Sequence, residues 1–525
     1  MNGVATIDAA WPRISARARC ALTEAAGKGA ALRLARVFVF GTAAVAGLPA
    51  TAQERGVTVT PVFAATQQFT DNRNLSRSDP QAESITVLSP GVRMSIRSAK
   101  VQGSVDYSLN AAFYARGSAA NSVQNALASS LRAEVIEGHG IITAGATISR
   151  QSISALGLQG DRPNQINANS TEIRTLNIAP SLRGRLFGEV EIDARLSSSL
   201  VSSADSASGD SVAHNAGVRV GDNSRALGWS VDANRSLSNF DGGRETTQDT
   251  LRATLSYSPL SDLRVFVNAG TERNNVQSSD QRTSDTWGGG VNWQPTPRTQ
   301  FGLTVERRFF GNSHSLNLSH RFKRSVLSYT DSRSSTQSTA GAGATLTVYD
   351  LYFAQFTSIE PDPVLRDLLV RNFLLAAGLN PNTRLPGGFV NSALTLQASR
   401  NLSFAIQGVR SSVVLSAFST STRRLDTLSG AQDDLSRVDV LNQAGWNLSW
   451  SHRLTPVSSL VFSASQQRTP SRGTVAGNGL KNVSVSWASP IARRVSLSVT
   501  GRHSQADGGN SYQENSLSAS LSLSF

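Results

Sequence analysis

The residues from Leu517 to Phe525 alternate apolar and hydroxyl side chains without a break and end on an aromatic ring. Successive side chains on a strand point to opposite sides, which puts Leu517, Ala519, Leu521, Leu523 and Phe525 on one face and Ser518, Ser520, Ser522 and Ser524 on the other. The pattern recurs upstream. Val101, Gly103, Val105, Tyr107, Leu109, Ala111 and Phe113 oppose Gln102, Ser104, Asp106, Ser108 and Asn110; Val190, Ile192, Ala194 and Leu196 oppose Glu189, Glu191, Asp193 and Arg195. A face carrying three acids and an arginine cannot be a dry core without large desolvation costs, so it lines water. So many apolar faces then need a nonpolar cover all round, which hydrocarbon supplies and the edge of a soluble sandwich does not.

The strands are joined by two kinds of connection. Short turns, often with proline, read at Ser489-Pro490-Ile491, Leu454-Thr455-Pro456, Ser258-Pro259 and around Pro295 and Pro297. Proline suits them because it fixes its own φ and donates nothing to a ladder. The alternate connections are longer and polar, as from Ser202 to Ser211, Asn239 to Asp249, Asn274 to Asp285 and Ala506 to Tyr512. Short turns on one side and long loops on the other are the habit of transmembrane barrels. An open sheet edge in hydrocarbon leaves backbone groups unpaired at several kcal/mol each, so the sheet must close. The expectation is an all-β chain: one transmembrane antiparallel β-barrel of about 22 strands, within roughly 18 to 24. The short turns are then periplasmic and the loops external. Leu521, Leu523 and Phe525 read as the insertion signal offered to the barrel-assembly machinery. Trp293, Trp446, Trp450 and Trp487 are expected as interfacial aromatics against outer-membrane lipid, with ordinary sheet packing as the alternative.

At the other end, Arg33 and Arg36 precede an apolar run from Val37 to Leu48, followed by Ala50-Thr51-Ala52. This reads as a cleaved signal peptide over residues 1–52, leaving the barrel at 53–525. The run is too short for a membrane helix, which needs roughly 20 residues. The single cysteine, Cys20, falls in the leader, so the exported part has no thiol chemistry.

Formal charge is +13. The arginines are scattered singly or in pairs through the strands, which speaks against nucleic acid as a partner. A cation-lined bore that concentrates anions fits better, with Arg195, Arg252, Arg308, Arg321 and Arg494 as lumen candidates beside Glu189, Glu191 and Asp193. The alternative is that arginine is simply favoured in this genome and that many of these residues sit near charged lipid headgroups.

One segment breaks the rhythm. Residues 334–388 form an insertion in which a helix is expected at 363–377, with Asp362 as its cap, Pro363 in its first turn and Gly378 at its end. Leu365, Leu368, Leu369, Asn372 and Phe373 fall on one stripe. Strand parity puts this insertion on the external side, where it either folds into the mouth as a constriction or packs above it.

Several blocks resemble the outer-membrane proteins associated with the PEP-CTERM/exosortase system. They are Thr70-Asp71-Asn72-Arg73-Asn74-Leu75, Leu88-Ser89-Pro90-Gly91-Val92-Arg93, Val105-Asp106-Tyr107-Ser108-Leu109-Asn110, Ile148-Ser149-Arg150-Gln151-Ser152-Ile153-Ser154-Ala155 and Ile178-Ala179-Pro180-Ser181-Leu182-Arg183-Gly184-Arg185. The likeness runs on through the expected helix and the closing strands. It implies a barrel in Gram-negative bacteria that make extracellular polysaccharide, with that polymer or its export apparatus as partner.

Chemistry beyond transport finds no support in the residues. His139, His214, His314, His320, His452 and His503 show no metal-ligand spacing, and no Gly-x-Ser-x-Gly elbow or phosphate-cradling Gly-x-x-x-x-Gly-Lys occurs. No enzyme activity and no cofactor are expected. Three functions stay open: an export conduit, a non-conducting platform that binds glycans or proteins, and a general solute porin.

Overall fold

The computed structural model describes residues 56–160, 167–204, 210–222, 226–241, 243–336 and 389–525 apart from 427, 429, 431–432 and 474, with shorter stretches between 340 and 374. The expected leader lies outside the described residues. Within them, 22 strands form one antiparallel sheet, and a separate pair joins Ala340–Ala342 to Phe389–Val390. Each barrel strand pairs with the next along the chain. The first, Val57–Thr70, pairs both with Glu83–Arg97 and with the last, Tyr512–Ser524, so the sheet closes. Phe63 and Ala65 lie opposite Leu523 and Leu521, and the Phe525 amide donates to the Pro61 carbonyl at 3.0 Å. The C-terminal run is the closing strand.

Following the registers from strand to strand carries one apolar face round the whole ring. In the closing strand it runs from Phe525 up to Leu517 and then turns polar at Asn515 and Gln513. In Thr246–Leu260 it holds Tyr257, Leu255, Ala253 and Leu251 before Asp249; in Thr395–Gln407 it holds Ile406, Phe404 and Leu402 before Arg400. Leu251, Leu255, Tyr257, Val267, Leu402 and Phe525 remain exposed. A band about ten residues tall, tilted, covers the ~25 Å of hydrocarbon. The chain is therefore a membrane-spanning barrel of the outer-membrane kind.

The barrel strands run from 10 to 17 residues, most of them longer than the ~10 needed to cross the hydrocarbon. Of the stretches read as loops, 202–211 and 274–285 hold real connections, between Ser203 and Ser211 and between Asn274 and Arg282. Those at 239–249 and 506–512 are mostly strand, with short turns between Phe240 and Thr246 and between Gly508 and Tyr512. Above the hydrocarbon both faces are wet, so hydrophobic alternation disappears while the backbone goes on pairing. Pro297 and Pro456 lie in turns as expected, but the other expected turn prolines are displaced. Pro259, Pro295 and Pro490 lie within strands, at register shifts between Tyr257 and Leu260, Trp293 and Thr296, and Pro490 and Ala492. Pro259 and Pro295 fall among the residues a bulge leaves unpaired, which suits a residue that has no donor, while Pro490 pairs with Ser496 at the edge of its shift.

All four expected interfacial tryptophans stand on the outer face. Trp293 lies between Leu263 and Phe301, Trp450 between Val413 and Phe462, and Trp487 between Leu460 and Val499. Trp446 sits higher, where the face turns polar, and its Nε1 donates to Gln466 Oε1 at 3.2 Å.

Of the expected helix at 363–377, Arg366, Asp367, Leu369, Val370, Arg371 and Leu374 are helical; Leu365, Leu368, Asn372, Phe373 and its proposed caps lie outside the described residues. A second helical stretch holds Tyr349, Tyr352 and Phe353. The two are tied together by side chains: the Arg366 guanidinium lies 4.4 Å over the Phe353 ring, Arg371 lies 5.0 Å over Tyr349, and Tyr349 donates to Asp367. Tyr352, Val370 and Leu374 form a buried cluster.

Candidate functional site

The bore is the candidate site, and its first feature is the insertion within it. The Tyr352 hydroxyl lies 2.7 Å from Ser449 Oγ. Ser449 is on the inner face, opposite Val414 and Ser463, and only four residues above the lower end of its strand at Arg453. The insertion therefore enters the barrel and reaches deep into it. The wall beneath is built of small, uncharged side chains: Val414, Ser449, Ser451, Val461, Ser486 and Ala488 are all buried. Burial there pushes the Tyr352 hydroxyl above its usual range, partly opposed by the Ser449 hydrogen bond.

Above, the mouth is bridged. Val390 packs on Ile173 and Val201, inner residues near the outer ends of strands on the far side of the ring. Phe389 joins Ala155, Leu435, Val438 and Leu441 in a buried cluster. Polar bonds fasten the same meeting point. Asp433 caps the short helix Asp434–Arg437, takes the Arg424 guanidinium at 2.5 Å and accepts from the Ser392 amide at 3.2 Å. Asp434 accepts from Ser154 Oγ at 2.6 Å and the Ala155 amide at 2.7 Å. Burial pushes the Asp434 carboxyl above its ordinary range, and these two donors oppose that rise. The connection after Ser152 goes on to meet Asn478, which donates to the Gly157 carbonyl at 2.6 Å, and Tyr512, which donates to the Gln159 carbonyl at 2.8 Å.

The opposite wall is charged. Registers place Arg183, Asp193, Arg219, Asp232 and Arg252 directly across from one another on five consecutive strands, alternating in sign. Arg183 Nε and Arg195 Nε reach Asp193 at 2.8 and 2.6 Å, and Arg185 reaches Glu191 at 3.1 Å. The guanidinium side chains of Arg183, Arg195 and Arg219 are 60%, 62% and 52% exposed. Exposed pairs of this kind add little stability, so their value is the field they present. A groove of about 600 Å³ is lined by Arg195 and Arg219 together with Glu191, Asp193 and Asp232.

Arg195, Glu191 and Asp193 thus stand on the open wall as the alternation implies. Arg252 and Arg308 also face inward, but each is committed to a carboxylate. Arg252 meets Glu306 at 2.5 Å, and Arg308 grips Glu272 through Nε and NH2 at 3.1 and 2.7 Å. Arg321 is inward near the lower rim, opposite Val326. Glu189 and Arg494 are corrections: Glu189 lies in the turn after Phe187, and Arg494 lies in a lower turn where its carbonyl accepts the Ser524 amide. The alternation simply ran one residue past each strand end. Arg183, Arg219 and Asp232, which complete the charged row, were not singled out from sequence, because their partners are set by register between distant strands. The Asp433-Asp434 pair ahead of an apolar residue was a legible helix start.

Among the described residues no group of three or more His, Cys, Asp or Glu side chains is placed to hold a metal. His314 and His320 are on the outer face, opposite Arg333 and Leu327.

No family model matches the chain, and no curated protein matches it. Solved structures give a likeness at the level of fold. The FrpB iron transporter from Neisseria meningitidis (F3-3 variant) is 9% identical, with 90% of this chain and 82% of that one covered at a TM-score of 0.47. The siderophore receptor PirA from Pseudomonas aeruginosa is 9% identical over 89% and 80%, at 0.42. Pseudomonas aeruginosa OccK3 (OpdO) is 11% identical over 89% and 95%, at 0.32.

Proposed function

We propose that this barrel is an outer-membrane conduit for an anionic extracellular polysaccharide, working with the export or exosortase-linked surface apparatus that its sequence blocks suggest, and that it carries out no catalysis. The observation that carries the reading is the asymmetry of the bore. One wall holds the insertion, and the other leaves exposed guanidinium groups, interleaved with carboxylates, along a groove wide enough for a chain of sugars. Arginine pairs well with carboxylate and phosphate, the usual charges of such polymers. In this reading the insertion and the bridged mouth are the resting gate, which a barrel this wide needs if the membrane is not to leak. Polymer assays on a deletion strain test it: the polymer is expected to collect in the periplasm, and surface polymer equal to that of the parent contradicts export.

The bridged mouth also favours a second reading, a non-conducting platform whose interlocked loops bind glycans or surface proteins. Glycan binding by purified protein that stays electrically silent in planar bilayers, even with polymer added, would select it.

A further inference from the structure

On the outer face, cations and hydrocarbon are separated by height. Registers carry Arg333, Arg400 and Arg423 outward on three adjacent strands, Ser325–Thr336, Thr395–Gln407 and Ser411–Arg424. Below them, directly under Arg400 and past Asp331, Ser421 and Ser419 on the flanking strands, the same face shows Tyr329, Leu402, Phe404, Leu415 and Ala417. Arg400 begins where the apolar band stops, and Arg333 and Arg423 stand just above it. The upper outer face repeats the pattern at Arg235, Arg273, Arg307 and Lys481, whereas in the lower half no strand cation points outward among the described residues.

The three arginines border a groove of about 430 Å³ floored by Leu396, Ala398 and Val440. Its only carboxylate, Asp331, is held by Arg400 Nε at 3.3 Å and His314 Nε2 at 3.0 Å. One acid against three guanidinium groups leaves the groove positive. The Arg400 side chain is 68% exposed while meeting that acid, so its remaining N–H donors face outward. Arg183, Arg195, Arg219, Arg252 and Arg308 meet carboxylates inside the bore; these three stand outside, at headgroup height, and share the one acid, Asp331.

We infer that this patch binds a phosphorylated glycolipid of the outer leaflet. Arg333, Arg400 and Arg423 hold the phosphate, and the acyl chains lie along Leu402, Phe404 and Leu415. Guanidinium forks match phosphate oxygens in pairs, and a positive surface at a membrane gains from each added charge. The apolar floor and the band beneath favour a lipid over a free anion. The site depends on the barrel being embedded in a membrane and not on what the bore transports.

The test uses the full-length protein in phosphatidylcholine nanodiscs, titrated with bis-phosphorylated lipid A and followed by native mass spectrometry. Saturable binding is expected for the parent. The variant Arg333→Ser, Arg400→Ser, Arg423→Ser is expected to bind about a hundredfold more weakly, taking roughly a fivefold loss per charge. Its fold is checked by heat-modifiable migration on gels. Lipid A stripped of both phosphates, offered to the parent protein, is expected to bind no better, and this arm stands even if the triple variant fails to fold. Equal binding by the variant, equal binding of the stripped lipid, or displacement by inorganic phosphate at matched concentration would overturn the site.

Discussion

Two walls of the same barrel, built from the same alternation, have been put to opposite uses. Around Ser449 the inner side chains are serine, valine and alanine, and they are buried beneath an insertion that plants Tyr352 on them. Around Asp193 they are arginine and aspartate, and the arginines stay more than half exposed. Small side chains leave room for a packed occupant, and long charged ones hold water and mobile ions in place. The difference teaches that the inside of a wide barrel is not one environment. Net charge says nothing about it; the distribution of side-chain size and charge round the ring does.

The largest effect is expected from disturbing an arginine that belongs to neither wall. Glu272 is fully buried and gripped by Arg308. Glu272→Ala leaves a guanidinium without its acid, and a loss of about 3 kcal/mol is expected in the unfolding free energy of the barrel, read from urea titration. A change near zero would mean that the pair is as idle as the exposed ones. On the packed wall, Tyr352→Ala should loosen the insertion by about 3 kcal/mol and Tyr352→Phe by about 1 kcal/mol, read as faster hydrogen exchange around residues 366–374 with the barrel strands unchanged. Exchange that stays as slow as in the parent would detach Tyr352 from the docking. On the charged wall, Arg183→Ser, Arg195→Ser and Arg219→Ser together should move stability by no more than about 0.5 kcal/mol yet lower the anion preference of reversal potentials. Unchanged selectivity would remove the open wall from the conduction path.

The smallest effect concerns acidity at the mouth. Burial raises the Asp434 carboxyl in the folded protein above its unfolded value, so the folded form holds the extra proton. Its contribution favours the docked mouth at low pH and is lost as pH climbs from the ordinary carboxylate range, ~4, through the raised value. Protection of the Ser154 and Ala155 amides should therefore be greater near pH 4 than at pH 7, and Asp434→Asn should flatten that difference. A parent protein with equal protection at both values would contradict it.

How much of this could be read from the residues follows from what alternation encodes. The Leu517–Phe525 run, the Val101–Phe113 face and the Val190–Leu196 face report on hydrocarbon, so the barrel, its closing strand and the outward tryptophans were legible. Above the band the outer face is polar too, and Asn239–Asp249 looked like loop although most of it is strand. Arg195 and Asp193 were legible as inward residues; that Arg219 and Asp232 continue their row is fixed by register between strands far apart in sequence. The depth of the insertion was hidden for a similar reason. Tyr352 meets Ser449 across 97 residues, and no local pattern announces so distant a pair.

Single-channel conductance tests most directly whether the insertion fills the bore. The full chain is compared with one in which residues 343–388 are replaced by a short Gly-Ser link, since Ala342 and Phe389 are already paired. The parent is expected to be closed or to conduct weakly, and the shortened chain to open several-fold larger, long-lived steps. Equal conductance in the two would show that the bore is not obstructed by this segment.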